Sequence, residues 1–190
     1  MARPRNFDED RAVEAAMRTF WESGYEATST ADLCAATGLG RSSIYNTFKS
    51  KTALFDRALR RYMDEKNAPV LHLMDGDTPV REKMRALLWR VIGQEIEDPP
   101  GCLVVNSMVE LAPRDPQVAR SLRHDQDMRV QTLRSAFQAG QRRGEIAAER
   151  DPLGLAHFII ATINGMQVAA RGGADRATLE AIATNALSAF

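Results

Sequence analysis

The stretch TGLGRSSIYNTFKSK, Thr37 to Lys51, holds three cations, Arg41, Lys49 and Lys51, and no carboxylate. Between them stand Ser42, Ser43, Tyr45, Asn46 and Thr47. The whole chain has 25 basic and 25 acidic residues, so an acid-free stretch does not follow from its composition. These residue types can read a DNA major groove: arginine pairs with guanine, asparagine with adenine, and hydroxyls meet bases or phosphates. Lys51, at the start of a helix, adds its charge to backbone N–H groups that favour a phosphate. A carboxylate on this face would meet the phosphates and be repelled. A solvated polar face would explain the charges, but it does not account for the features that surround them.

Those features are the elements that hold the stretch in place. Two short helices joined by a tight turn containing Gly38 have the helix-turn-helix layout. Cys34, four residues before Gly38, is small enough for the crossing of the two helices, and Leu33, Leu39, Ile44 and Phe48 supply apolar anchors. With these turned inward, Arg41, Ser42, Ser43, Tyr45, Asn46 and Thr47 are left for the outer face. Before them, Val13, Ala16, Met17, Phe20 and Trp21 form one apolar helical stripe that ends at Gly24. Thr28 and Ser29 offer capping hydroxyls for the second helix, and Ser50 for a fourth that carries Leu54, Phe55, Ala58, Leu59, Tyr62 and Met63.

Beyond Lys66, Thr78-Pro79, Asp115-Pro116 and Asp151-Pro152 each place a capping side chain before a proline at a first helical position. Pro99-Pro100-Gly101 is a break, and Leu179, Ile182, Ala183, Ala186, Leu187 and Phe190 mark a last helix after Asp175. No stretch alternates as a strand, so the chain reads as all-α with about nine helices. No apolar run reads as a membrane span, and MARPRNFDED lacks the apolar segment of a signal peptide, so a cytoplasmic protein with no membrane partner is expected. Cys34 and Cys102 form no disulfide framework and are read as free thiols.

The run FDEDRAVEAAMRTFWESGYEATSTADLCAATGLGRSSIYNTFKSKTALF, Phe7 to Phe55, resembles the DNA-binding region of the TetR/AcrR family of transcriptional regulators. The resemblance implies a three-helix DNA-binding domain over residues 1–50 and a ligand-binding and dimerisation bundle over 51–190. It implies a homodimer on a palindromic operator, usually a repressor released by a small-molecule effector. It further implies DNA contacts from Tyr45, Thr47 and Lys51, with Thr28 and Ser29 at the start of the second helix. Many relatives carry histidine where this chain has Asn46. Arg3 and Arg5 resemble a basic arm that some members lay along DNA. A constitutive DNA binder or an activator without effector is the alternative, and a small all-α enzyme using the apolar cavity is the rival from another class.

The segment Leu153 to Ala170 is apolar nearly all round, with His157, Asn164 and Gln167 as polar exceptions, and such a helix must be covered on two sides. A second copy of the same helix is the natural cover. With the last helix this resembles the family's four-helix dimer interface, where Gly165 and Ala169 would permit close approach. The family's effector pocket would lie among Trp89, Met108, Phe137, Phe158 and Met166, although aromatic and methionine residues at helical spacing more often form core. Cys102 follows Pro-Pro-Gly at a helix start, where the dipole favours a reactive thiolate, and a few relatives sense electrophiles or oxidants with cysteine. The apolar Leu103 to Val105 beside it favours a packing role. Enzyme readings are thin. His124, Asp125 and Asp127 do not have the spacing to surround one metal ion, no nucleophile motif or glycine-rich phosphate loop is found, and neither metal nor cofactor is expected.

Overall fold

Asp8 starts the first helix, its carboxylate accepting from the N–H groups of Asp10 and Arg11. The computed structural model describes residues 8–93 and 98–190. Among them are nine helices: α1 (Glu9–Ser23), α2 (Thr30–Thr37), α3 (Arg41–Phe48), α4 (Lys51–Asp75), α5 (Val80–Gly93), α6 (Leu103–Glu110), α7 (Pro116–Arg142), α8 (Pro152–Arg171) and α9 (Arg176–Leu187). The capping signals read from the sequence act at most starts. Ser29, Ser50, Asp115, Asp151 and Asp175 are all N-caps whose side chains accept from first-turn N–H groups. Pro116 and Pro152 follow their caps directly, where a missing N–H costs nothing.

Thr78-Pro79 departs from the expectation. The helix begins at Val80, whose N–H is taken at 2.6 Å by Glu145 from the α7–α8 turn, so the cap comes from a distant carboxylate. The other end of α4 is closed by a buried lysine. Lys83 is 3% exposed and donates its ammonium protons to the carbonyls of Met74, at 2.6 Å, and Gly76. Cation and donor together satisfy a helix C-terminus that has run out of N–H partners.

Two cores result. One is built from α1, α2, α3 and the first half of α4, and it extends into Leu103, Val104, Leu111, Val118 and Leu122 of α6, α7 and the turn between them. Its centre is aromatic, with Phe20 edge-on to Phe55 and Trp21 edge-on to Tyr62. The other joins α5, α7, α8 and α9 to Met74 at the end of α4. Where α7 passes the start of α5, Gly140 leaves no room for a side chain, because a Cβ there would lie 2.7 Å from Val80.

Helix α4 therefore takes part in both cores. It runs 25 residues, about 37 Å at the helical rise, through an internal Pro69 that leaves one gap in its hydrogen-bond ladder.

One exclusion made from the sequence is corrected here. By length and composition α8 is apolar enough to cross a membrane. Its packing against α7, α9 and α5 gives it another role, with Leu155, Ala156, Ile159, Ile160, Ile163 and Met166 turned into the core.

Candidate nucleic-acid interface and bundle cavity

Gly38 takes a left-handed conformation, φ 68°, that turns the chain from α2 into α3. Leu33, Ile44 and Phe48 are buried, Cys34 and Leu39 pack partly buried beside them, and the outer face of α3 is left to polar side chains. Arg41, Ser42 and Asn46 are exposed, while Ser43, Tyr45 and Thr47 are half-buried along its edge. Tyr45 is held in place. Its hydroxyl lies 3.2 Å from that of Thr30 in α2, and the Arg41 guanidinium sits 5.8 Å from its ring centre. The Thr30 hydrogen bond, helped by the Arg41 charge, lowers the phenol's pKa from its ordinary value. Lys51 stacks its ammonium 4.3 Å over the Tyr25 ring, and the Tyr25 hydroxyl is in turn 2.8 Å from Thr52. The lysine head is thus fixed at the N-terminus of α4, beside the C-terminal end of α3.

Ser29 is exposed and forms a capping box with Asp32: its hydroxyl accepts from the Asp32 N–H, and the Asp32 carboxylate accepts from the Ser29 N–H. Thr28 is a correction. It is 1% exposed, and its hydroxyl donates at 2.6 Å to the Gly24 carbonyl, closing the α1–α2 turn. A side chain used in that way has no donor left for DNA. Arg3 and Arg5 lie outside the described residues. Thr30 and Tyr25 were missed in the sequence, since nothing local marks a partner fifteen or more residues away.

Between α4, α5, α6, α7 and α8 lies a cavity of about 80 Å3. Met63, Val70, Leu87, Val91, Val104 and Ile163 give it an apolar wall, and Lys66, Asn67, Arg90, Asp125, Arg129 and Asn164 a polar one. Of the six residues expected around an effector, Cys102 lines it. The other five do not. Phe137 and Met166 are core residues at 0% exposure, Trp89 packs on the bundle core under Arg85, and Met108 packs on the DNA-side core. Phe158 faces outward at 41% exposure. On α8, a helix with apolar residues all round gives no sequence signal of which side Phe158 or Met166 faces, and for Trp89, Met108 and Phe137 helical spacing marks a buried face without telling core from cavity. Cys102 is the half-buried N-cap of α6, beside Tyr62; burial first, and then the cysteine, raise that phenol's pKa.

Residues 12–58 match the family described as bacterial regulatory proteins, tetR family, and residues 81–186 match the tetracyclin repressor-like C-terminal domain. The chain is 35% identical over 188 residues to the HTH-type transcriptional repressor ComR of Escherichia coli K12, covering 97% of this chain and 90% of that one. The chain belongs to the tetR family. Among solved structures it is similar to a cysteine variant of the TetR-family regulator CifR in complex with 26 bp of double-strand operator DNA. That match has 32% identity, a TM-score of 0.90 and complete coverage of both chains. It is also similar to a TetR regulator from Chloroflexus aurantiacus J-10-FL, with 30% identity, a TM-score of 0.85 and coverage of 94% and 91%.

As in any tetR-family regulator, the DNA-binding helices must be joined to the bundle. Two clasps do this here in addition to α4. Glu110, at the end of α6, accepts from the N–H groups of Tyr25 (3.1 Å) and Glu26 (2.7 Å). Arg171, at the end of α8, donates to the carbonyls of Trp21, Glu22 and Pro100, while the Trp21 indole donates to Gly101 at 3.1 Å. Both grip the chain where α1 ends, close to α6 and Cys102.

Proposed function

We propose that this DNA-binding transcriptional regulator is a cytoplasmic repressor rather than an enzyme, acting as a homodimer on a palindromic operator and released by a small molecule in the bundle cavity. Residues 1–50 form its DNA-binding unit, and 51–190 its effector and dimerisation unit. The observation that carries the reading is the path of α4. The helix starts beside the α3 face with Lys51 and supplies Tyr62, Met63, Lys66, Asn67 and Val70 to the cavity wall. A ligand that shifts those residues moves the mounting of α3.

An outward stripe on α8 supports the dimer: Phe158, Ala161, Gly165 and Val168 are exposed at helical spacing, with Val168 at 57%. A second copy would cover it and space the two α3 helices about 34 Å apart, in successive major grooves. Ile163 of α8 and Leu187 of α9 face the monomer's own core at 7% and 3% exposure, and so stand apart from this stripe. Selection of bound sequences from random DNA tests the reading. A palindrome with half-sites one turn apart is expected, and failure to enrich any sequence would sink it. Sedimentation with the selected duplex should give two chains per site.

A further inference from the structure

Among the described residues, the charged side chains of the cavity wall are unevenly paired. Lys66 is paired with Asp98 at 2.7 Å. Asp125, 5% exposed, accepts from Asn67 at 2.6 Å and faces Arg129 at 3.9 Å. These contacts set two cations against two carboxylates. Arg90 remains. It lines the cavity partly buried, and among the described residues it has no acceptor. Arg129 touches Asp125 near the limit of an ion pair, so most of its five N–H donors are also uncommitted. The rest of the lining carries no formal charge: Met63, Val70, Leu87, Val91, Val104 and Ile163 are apolar, and Tyr62, Cys102, Asn164 and Gln167 are neutral polar groups.

We propose that the cavity takes a small monocarboxylate: a single negative charge held by Arg90 with help from Arg129, carried on a compact apolar body packed against α4, α5 and α8. This rests on the effector reading above and gives that site its ligand class. Carboxylate geometry suits the planar fork of an arginine, which can donate two parallel bonds. The available space, about 80 Å3, would hold about five waters, so it fits a short branched chain or a single ring and not a long acyl tail. A dianion is disfavoured, because among the described residues one cation in the wall is left unbalanced and Asp125 stands beside the site.

The test is a calorimetric titration of the full-length protein with benzoate and 3-methylbutanoate, each set against its amide, which keeps the shape and loses the charge. The acids should bind, and the amides should bind at least about tenfold more weakly. Arg90→Gln should lose roughly ten- to a hundredfold for the acids and almost nothing for the amides, with Arg90→Lys in between. Because Arg90 has no described partner to lose, Arg90→Gln should unfold at the wild-type temperature. Equal binding of acid and amide, full affinity in Arg90→Gln, or no binding of either acid would overturn the proposal. A parallel assay of operator release separates this result from failure of the effector reading. Neutral apolar compounds that release the operator from wild type, but not from a Val70→Trp protein with its cavity filled, would keep the effector and exclude the carboxylate.

Discussion

Tyr45 shows how a residue can be legible in type and still hidden in its setting. Its position on α3 follows from the spacing of Ile44 and Phe48, but its tie to Thr30 depends on how α2 and α3 cross. Tyr45→Phe removes that tie with the ring retained, and should weaken operator binding by about 1 kcal/mol in an anisotropy titration. Lys51→Ala removes a cation from the start of α4, so the slope of log K against log salt should flatten by about one unit. Unchanged slopes would mean that Lys51 is not on a phosphate. Thr28 is the opposite case, since a hydroxyl reads the same whether it caps, closes a turn or meets DNA, and burial decided for the turn. Lys83 was not marked by its surroundings either, because a lysine in an amphipathic helix ordinarily faces water. Lys83→Met keeps the length and apolar stem but leaves the carbonyls of Met74 and the C-cap Gly76 without this donor. It should lower unfolding stability by about 1–3 kcal/mol in a denaturant titration.

Among elements, helices were the most readable feature, because their caps and prolines are local chemistry. Asp115-Pro116 and Asp151-Pro152 start helices where they were expected to. The start of α5 was not readable, since its cap, Glu145, lies across the fold. Glu145, with Asp32 and Asp175, gives a pH signature. Arg143 and the Val80 N–H hold the Glu145 carboxyl below its ordinary pKa, Ser29 does so for Asp32, and Thr178 for Asp175. A carboxyl whose pKa is lower folded than unfolded contributes its stability above the unfolded value and loses it as pH falls through the folded one. Stability should therefore be level near neutrality and decline below about pH 4. Glu145→Gln should reduce that acid dependence, as read from melting temperatures across a pH series. A steeper decline in the variant would contradict the assignment. The faces of α8 were the least readable, because its buried and outward stripes are both apolar.

For the whole molecule, that outward stripe predicts assembly. Val168→Asp places a charge on the exposed face without disturbing the core, so it should give a folded monomer in sedimentation and lose high-affinity operator binding. A dimeric Val168→Asp protein would move the interface off α8. The change in helix length and the proline breaks mark short helices followed by longer ones, but the sharing of α4 between two cores could not be read, since a continuous helix carries no mark of where one core ends. That sharing makes the two ends thermodynamically reciprocal. Under the effector-released reading proposed above, whatever factor a cavity ligand takes from operator affinity, operator must take from the ligand. An effector measured on free protein will then look tighter than the same effector measured on protein parked at its promoter. On the same reading, each operator copy in the cell would also hold its share of regulator in the form least sensitive to the signal.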